Sequence, residues 1–523
     1  MFSQPRVAEV RAIAEAFGVH LDAEELEAYT AQLGEQLTVL DEFLQDPAEE
    51  DRPPLLFPER TPGHRPGPDE DPHRAWLWRC EVGGAGEGLL AGKTVGFKDH
   101  ISVAGVPLTI GTRTLDGFVP DFDATVVTNV LAAGGTVAGK NTHHGFGGLR
   151  SMAGQLGDYW DAVNPHDQTR QTGGSSSGSA VAVAVGDADV AIGGDQGGSI
   201  RHPAAYCGVV GMKPTFGLVS HMGATYGGDP SIDHLGPMAR TVAETATALE
   251  AIAGYDPFDQ RTVREVPDHI DVLTKLDDGP EDLTIGVLAE GFDQPIESEL
   301  RDAVLVAIDA VAEAGAKVVR ISVPEHRQAP AAAGALQLAG YRAARGSGGF
   351  GFGARGFYPE ALIGALDRSF TMEADQLAAY IKFTWMLGEL SQRNFHGAVY
   401  AKAQNRRPAI ARAYDRALGE VDVLAMPTCH TVAPPIPAMA APADAWRREL
   451  DVPKRIGLSF RNLQPFNYTG HPALALPCGK VGGLPVSLQL VGRHFDDATV
   501  LRAARACEQA VGYDSAPVGG ARR

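Results

Sequence analysis

Two glycine–serine turns carry the residues best suited to chemistry. The first covers 173–179 (GGSSSGS) and the second covers 193–199 (GGDQGGS). Glycine lets the backbone adopt conformations closed to other residues and lets its N–H groups approach a ligand. A serine beside a row of such N–H groups supplies what acyl transfer needs, a nucleophile next to a site for an oxyanion. Ser175 and Ser199, separated by 24 residues, are therefore candidate catalytic residues.

A glycine- and serine-rich stretch can also be a flexible linker. The residues between the two turns, 180–192, read AVAVAVGDADVAI and are rich in apolar and β-branched types. Because a linker does not bury such a segment, we predict that the two turns lie at the ends of one compact, buried unit.

Lys98 is the third candidate. The apolar segment 94–97 predicts a strand that ends at this lysine. A lysine buried among apolar residues binds its proton less tightly, which makes it a usable general base near neutrality. Lowering its pKa from about 10.4 to about 7–8 corresponds to roughly 4 kcal/mol of differential interaction. A lysine followed by an aspartate, here Asp99, is also a common surface ion pair, so burial has to decide between the two interpretations.

The charge of the chain bears on its partners, and its cysteine content bears on its cellular compartment. The chain of 523 residues has 45 basic and 65 acidic side chains, a net charge of −20. This charge argues against a nucleic-acid or anionic-membrane partner. Five cysteines without a CxxC pair suit a reducing compartment. The N-terminus lacks a signal-peptide pattern and no long apolar window is present, so we predict a cytoplasmic protein that does not enter a membrane.

Strand and helix patterns alternate through the main body of the sequence. Strand patterns at 94–97 and 283–288 are followed by helix patterns at 123–133 and 297–313. This alternation predicts an α/β fold with a mixed, mostly parallel twisted sheet sandwiched by helices.

The sequence also suggests domain boundaries. Two amphipathic helices and a proline-rich, charged linker at 47–72 precede the main body. We therefore divide the chain into an N-terminal helical arm with its linker, 1–75, and a catalytic domain, 76–523. The strand–helix alternation stops at about 330–415, which indicates a helical insertion. Its glycine- and aromatic-rich part, 346–357, is either a loop near the substrate mouth or a plain surface loop.

Several long segments resemble one known family. They are 173–220 (from GGSSSGS through GGDQGGS to FGLVS), 95–107 (VGFKDHISVAGVP), 231–242 (SIDHLGPMARTV) and 483–499 (GLPVSLQLVGRHFDDAT). Together they resemble the amidase signature hydrolases, and the resemblance covers nearly all of 76–523. It implies the amidase signature fold and a serine amidohydrolase activity.

The resemblance also implies the catalytic roles. Ser199 becomes the nucleophile, Ser175 a bridging proton relay that follows a cis peptide bond, and Lys98 the base. It implies further that no histidine, metal or organic cofactor takes part in the reaction.

The remaining implied roles concern the second turn and the acyl pocket. The backbone N–H groups that form the oxyanion hole are those of Gln196, Gly197, Gly198 and Ser199. Asp195 and Arg201 are implied to hold the turn in shape. Ser151 and Met152 are implied to contact the substrate.

The chain departs from the usual family pattern at three histidines. His100 follows Lys98-Asp99 where an asparagine or small polar residue is usual, and His143 and His144 stand in a segment that often carries an acid. Without a third ligand nearby in sequence, a structural or surface pair is favoured over a metal site at these two histidines.

A second hydrolase class also matches part of the sequence. Residues 174–178 fit the G-x-S-x-G pattern of the α/β-hydrolase nucleophile elbow, which would make Ser176 the nucleophile with His430, His471 or His494 as its base. An elbow should follow a strand, and 167–171 does not have a strand pattern. That class would also leave Lys98 without a role.

Substrate and assembly remain open at this stage. The predicted reaction cleaves small amides to a carboxylic acid and an amine through an acyl-enzyme. The aromatic residues in and beside the glycine-rich part favour substrates with an aromatic or apolar group; they are Phe350, Phe352, Phe357 and Tyr358. The alternative substrates are carbamates and aryl esters, which would use the same Ser-Ser-Lys triad. A resemblance to stand-alone bacterial amidases with an N-terminal helical arm implies a homodimer. The alternative is the glutaminase subunit of the tRNA-dependent amidotransferase, which works only in a complex.

Overall fold

The computed structural model describes residues 3–47, 51–145, 159–226, 228–263, 266–351, 355–438, 446–447, 450 and 459–519. The chain divides into two compact units, 1–52 and 53–523, and each is described by itself. The sequence-based boundary at residue 75 lies later than this division.

The first unit contains two helices, α1 (Val7–Ala16) and α2 (Ala23–Leu44). The start of α2 is fixed by a capping box. The Asp22 side chain accepts a hydrogen bond of 2.9 Å from the Glu25 N–H, and the Glu25 carboxylate accepts one of 2.8 Å from the Asp22 N–H. Two N–H groups that lack partners within the helix are thereby satisfied.

A twelve-stranded sheet forms the centre of the second unit, with the order β1-β2-β4-β3-β5-β7-β6-β11-β12-β10-β8-β9. The strands are β1 (Thr61–His64), β2 (Trp76–Val82), β3 (Thr94–Lys98), β4 (Thr136–Asn141), β5 (Val190–Gly194), β6 (Val210–Lys213), β7 (Leu235–Ala239), β8 (Thr284–Leu288), β9 (Lys317–Ile321), β10 (Val423–Pro427), β11 (Ala473–Val481) and β12 (Leu484–Val491). Strand β1 lies inside the predicted linker, where it pairs with β2. The linker is therefore shorter than predicted.

The predicted α/β class and mixed sheet are confirmed, but the prediction of a mostly parallel sheet is wrong. Four strand pairs are parallel and seven are antiparallel. The antiparallel pairs run without interruption from β5 through β7, β6, β11 and β12 to β10. Alternation of strands and helices in sequence cannot reveal this, because it does not specify which strands become neighbours in the sheet.

Helices cover both faces of the sheet. Within the described ranges of this unit they are α3 (Thr125–Ala132), α4 (Ser177–Ala184), α5 (Arg201–Cys207), α6 (Val242–Ile252), α7 (Ser298–Glu313), α8 (Ala329–Arg345), α9 (Glu360–Met372), α10 (Ala379–Phe395), α11 (Ala398–Leu418), α12 (Gln464–Thr469) and α13 (Asp497–Val511). Neighbouring residues of β11 pack into different cores, since Leu474 joins the core with α7 and α13, whereas Ala475 joins the core with α4 and α5. Successive side chains of a strand point to opposite faces, so these are the two faces of the sheet.

Four helices, α8 to α11, occupy the predicted insertion at 330–415. Within the glycine-rich part, 346–357, residues 352–354 are not among the described residues. The prediction for Phe352 therefore falls outside the described residues. In the described part of the chain, no helix is both long enough and apolar enough to cross a membrane.

Candidate active site

Lys98 is the last residue of β3, and its side chain lies inside the protein. Its Nζ donates hydrogen bonds to Ser175 Oγ at 2.7 Å and to the Gly194 carbonyl oxygen at 3.2 Å. Burial lowers the pKa of Lys98 to about 8, against the opposing effect of the carboxylates of Asp233 and Asp195. The structure therefore excludes a surface ion pair between Lys98 and Asp99. It places beside a serine hydroxyl a lysine that can lose its proton near pH 8.

Ser175 lies in the first glycine–serine turn, immediately before α4. The Gly174–Ser175 peptide bond is cis, as the resemblance implies. The Ser175 carbonyl oxygen accepts a hydrogen bond of 3.0 Å from the His144 N–H, and the Ser176 N–H donates to the Ser199 carbonyl oxygen at 3.2 Å. The first bond ties the turn to the segment that carries His144, and the second holds the two serine turns against each other.

Ser176 does not have the environment of a nucleophile. Its side chain is fully buried, and its Oγ bonds to both the carbonyl oxygen and the N–H of Gly194, at 3.2 and 3.3 Å. Among the histidines that would serve it, His430 bonds to carbonyl oxygens of 291 and 295, and His471 bonds to Asp415. The α/β-hydrolase alternative is therefore not supported.

The second turn connects β5 to α5 and presents Ser199. Asp195 organises this turn, because its carboxylate accepts hydrogen bonds from the N–H groups of Gly198 and Ile200 at 2.6 and 3.1 Å. Gly198 has a φ of +127°, and a Cβ there would come within 2.5 Å of the Leu463 side chain. Only glycine fits this position, for both conformational and steric reasons.

Asp195 and Arg201 form a fully buried ion pair of 3.0 Å. The guanidinium also donates to Gln489 Oε1, to the Leu463 carbonyl oxygen and to Asn467 Oδ1. Although burial disfavours its ionised form, the Arg201 charge and the hydrogen bonds hold the pKa of Asp195 well below its usual range. A buried charge with this many partners keeps a fixed geometry, as the resemblance implies for these two residues.

The hydrogen bond from Gly198 to Asp195 revises the predicted oxyanion hole. Since the Gly198 N–H is bound to a carboxylate, it is not open to a ligand. Within the described ranges, the N–H groups of Gln196, Gly197 and Ser199 have no hydrogen-bond acceptor. These three are the available donors of the turn. The sequence could not show this, because it depends on where the Asp195 side chain points.

The serines and the lysine share one cavity of about 90 Å³. Its wall includes Lys98, Ser175, Gly194, Gln196 and Ser199. It also includes groups that the sequence analysis did not single out, namely Ile110, Thr225, Tyr226, Asp233, Gln337, Tyr341 and Ile381. Of these, Asp233 lies within the family-like segment 231–242, and Gln337, Tyr341 and Ile381 lie within the predicted insertion at 330–415.

Gln196 connects this cavity wall to two of the additional residues. Its side-chain amide donates to Asp233 Oδ2 at 3.2 Å, and its Oε1 accepts from Gln337 at 3.2 Å. Asp233 thereby lies close enough to act on Lys98 electrostatically. The predicted substrate contacts Ser151 and Met152 lie outside the described residues.

All three unusual histidines line the cavity. Burial, reinforced by the positive charge of Lys98, lowers the pKa of His100 and His143 well below the usual value, so both rings are neutral. Neither ring nitrogen of His143 has a hydrogen-bond partner among the described residues. His144 Nε2 lies 3.3 Å from Asp161 Oδ1. Of the two possibilities left for His143 and His144, a structural or a surface pair, burial in the cavity wall excludes the surface pair.

A larger cavity of about 560 Å³ shares Tyr226 with the first. Phe350, Phe357 and Tyr358, which the sequence analysis placed either near a substrate mouth or on a plain surface loop, line this cavity. The Tyr226 ring stacks on His221, with ring centres 4.6 Å apart and planes within 4°. An aromatic wall therefore leads from the larger cavity to the serines.

The family profile described as Amidase matches residues 76–501. The chain belongs to the amidase family. An enantioselective amidase from Rhodococcus rhodochrous is 38% identical to this family member over 457 residues, which are 86% of the chain and 85% of the relative. A glutamyl-tRNA(Gln) amidotransferase subunit from Halobacterium salinarum is 38% identical over 445 residues, 83% of the chain and 99% of the relative.

Solved structures of amidases have the same fold. Native peptide amidase from Stenotrophomonas maltophilia matches with a TM-score of 0.66 and 29% identity, covering 83% of this chain and 84% of the amidase. The corresponding glutamyl-tRNA(Gln) amidotransferase subunit from Thermotoga maritima matches with a TM-score of 0.68 and 29% identity, covering 87% and 92%. The predicted family and its fold are confirmed, and the chain is a hydrolase that acts on amide bonds.

Proposed function

We propose that the protein is a serine amidohydrolase in which Ser199 attacks the substrate and Ser175 and Lys98 move the proton. The observation that supports this most directly is the hydrogen bond of 2.7 Å between Lys98 Nζ and Ser175 Oγ, in a cavity that Ser199 also lines. A base held on the relay serine, rather than on the nucleophile, is what a Ser-Ser-Lys triad requires.

The proton path follows from this arrangement. In its neutral form the Lys98 amine accepts the proton of Ser175 Oγ while Ser175 accepts the proton of Ser199, whose oxygen attacks the acyl carbonyl carbon. The tetrahedral intermediate collapses to an acyl-enzyme, and Lys98 and Ser175 return the proton to the leaving amine. Water then attacks the ester, with the triad again as base, and releases the carboxylic acid.

The N–H groups of Gln196, Gly197 and Ser199 are the proposed oxyanion donors. They are fixed before the substrate binds, because Asp195 and Arg201 hold the turn from the other side. Donors that need no reorganisation lower the barrier most effectively. Gly198 has the different task of anchoring the turn through its bond to Asp195.

The proposed substrates are small amides with an aromatic or apolar group. The larger cavity, with its aromatic wall of Phe350, Phe357 and Tyr358, is the proposed site for that group. Apolar pockets distinguish similar groups by only about 1–3 kcal/mol per methylene, so we expect a broad range of substrates. Carbamates and aryl esters pass through the same kind of oxyanion and stay as the alternative within this proposal.

A matched pair of substrates tests the proposal. Purified protein is assayed with benzamide and with an N-aryl carbamate of similar size. Faster hydrolysis of benzamide supports an amidase, whereas faster hydrolysis of the carbamate makes the enzyme a urethanase with the same triad. Turnover of neither compound, nor of an aryl ester, would contradict the proposal.

The second candidate is a glutaminase that works within an amidotransferase, because relatives of that description are 35–38% identical to this chain. Glutaminase activity that appears only after addition of the other amidotransferase subunits would favour it. Turnover of simple amides by the purified protein alone would exclude a strict dependence on partners.

The homodimer and the cytoplasmic location stay predictions. Helix α2 exposes large apolar side chains, among them Tyr29, Leu40 and Leu44, which support a dimer formed through the arm. Light scattering of the full chain and of a chain that lacks residues 1–46 tests it, because only the full chain should have the mass of a dimer.

A further inference from the structure

Asp415, His471 and His494 come together away from the serine cavity. Asp415 lies on α11, His471 lies between α12 and β11, and His494 follows β12. His471 Nε2 is 3.1 Å from Asp415 Oδ1, and His494 Nδ1 is 3.8 Å from the same oxygen. One ligand atom of each residue lies within 4.8 Å of the other two.

The other nitrogen of His494 shows where its ring proton is. His494 Nε2 is 2.9 Å from the carbonyl oxygen of Thr469, which can only accept a hydrogen bond. Nε2 therefore carries the proton. In a neutral imidazole the Nδ1 atom then presents a lone pair, and this lone pair faces the Asp415 carboxylate.

Thr469 fixes His471 in a similar way. The Thr469 hydroxyl donates its single proton to the Pro465 carbonyl oxygen at 3.0 Å, and the same oxygen is 2.9 Å from His471 Nδ1. His471 Nδ1 is then the donor of that second bond. The lone pair of its Nε2 atom faces the Asp415 carboxylate from 3.1 Å.

The Asp415 carboxylate and one nitrogen of each histidine are three electron-pair donors that face one another. When both imidazoles are neutral, no proton lies between these donors. We propose that Asp415, His471 and His494 bind a divalent transition-metal ion, with Zn²⁺ as the best match. Two imidazoles and one carboxylate are a common zinc donor set, and bonds of about 2.0–2.1 Å put tetrahedral ligands roughly 3.3 Å apart. The Asp415 oxygen lies 3.1 Å from His471 Nε2 and 3.8 Å from His494 Nδ1, each within about 0.5 Å of that value, and all three ligand atoms lie within 4.8 Å of one another.

The surroundings have two further properties of a metal site. Thr469 orients both rings through their second nitrogens, as outer hydrogen bonds do for metal-ligating histidines. The Asp415 side chain is 50% exposed and that of His494 is 33% exposed, so an ion and a water molecule as fourth ligand have access from solvent. The His471 side chain is fully buried, which gives the site one rigid ligand.

The ion would have a structural task. It would tie α11 to the loops after α12 and β12, and α12 carries Asn467, whose amide donates to the Asp195 carboxylate at 2.8 Å. The opposing explanation is a simple hydrogen bond between a protonated His471 and Asp415, without a metal.

A measurement of metal binding separates the two explanations. The full chain is purified without a polyhistidine tag and treated with a chelator, which is then removed. Zn²⁺ is titrated by calorimetry, and Co²⁺ by its visible absorption. The variants are His494→Ala and Asp415→Asn, and the matched control is His269→Ala, which removes an exposed histidine elsewhere. We expect one ion per chain in the wild type and the control, and an affinity at least about tenfold weaker in the two site variants.

Thermal unfolding gives a second readout that does not depend on catalysis. Zn²⁺ should raise the Tm of the wild type and of His269→Ala, and should not raise that of His494→Ala. Equal Zn²⁺ affinity in the wild type and His494→Ala, or no binding by the wild type, would overturn the proposal.

Discussion

Lys98 Nζ and Ser175 Oγ lie 2.7 Å apart, although the two residues are 77 positions apart in the chain. Strand β3 ends at Lys98 and α4 begins just after Ser175, so two regular elements hold this contact. The proposed base therefore touches the relay serine and reaches the nucleophile only through it. The predictions for the catalytic groups follow from this order.

Replacing Lys98 by alanine removes the proposed base. We expect kcat/KM for benzamide to fall by about 10²–10⁴, the usual contribution of general acid–base catalysis, and Ser199→Ala to abolish turnover. Ser175→Ala should keep a small residual activity, because a water molecule can bridge part of the relay. Lys402→Ala, at an exposed lysine of α11, is the control. Full activity of Lys98→Ala or Ser199→Ala would refute the mechanism.

The pH profile should report the ionisation of Lys98. Only the neutral amine accepts a proton, so kcat/KM should rise with pH and level off above the pKa of about 8. At pH 6, two units lower, about 1% of the amine is neutral and the rate should be about 100-fold below the plateau. A rate that does not change between pH 6 and pH 9 would be inconsistent with a lysine base.

Asp233→Asn should move this profile to lower pH. The Asp233 carboxylate favours the ammonium form and so raises the pKa of Lys98 against the larger effect of burial. Without that charge the amine loses its proton at lower pH, and the midpoint of kcat/KM shifts downwards. The measurement is the full profile of the variant beside the wild type, and an upward shift would contradict the electrostatic argument.

Arg201→Met should strongly destabilise the protein. The variant leaves Asp195 as a buried charge without its ion-pair partner, which costs about 3–5 kcal/mol. Urea unfolding measures this loss. Arg393→Met is the matched control, since Arg393 pairs with Glu389 at 2.9 Å with 73% and 43% exposure, and such exposed pairs contribute at most about 1 kcal/mol. Similar losses for both variants would argue against the role of the buried pair.

Phe357→Ala should reduce the preference for aromatic substrates. Phe357 lines the larger cavity and packs edge-on against Phe122, with ring centres 5.3 Å apart. Loss of the ring should lower kcat/KM for benzamide by about tenfold or more relative to acetamide, in the range that apolar contacts supply. Phe395→Ala, at an exposed phenylalanine of α10, controls for the general effect of losing a ring. An unchanged ratio would place the aromatic group of the substrate elsewhere.

The catalytic candidates could be found from the sequence because each lies in a short segment with unusual composition. Ser175 and Ser199 stand in glycine-rich turns, and Lys98 ends an apolar segment. The structure places all three around one cavity. The helices and strands near them were predictable for the same reason, since hydrophobic periodicity and turn residues are local properties.

The orientation of the strands was not predictable in this way. The antiparallel series from β5 to β10 depends on which distant segments pair, and that is a global property of the sheet. Likewise Tyr226 joins the cavity from a part of the chain without a local signal, and nothing in the segments 231–242 and 330–415 indicated that Asp233 and Gln337 would line it.

The sequence by itself determined the residue types that can do the chemistry, because glycine, serine and lysine were recognisable in contiguous motifs. Only the tertiary structure decided which backbone groups are open to an oxyanion, since the Asp195 side chain binds the N–H of Gly198 and leaves those of its neighbours available. Only the tertiary structure brought Asp415, His471 and His494 together. Hydrogen bonds and ligand sets depend on distances between side chains in space, and the order of residues along the chain does not contain those distances.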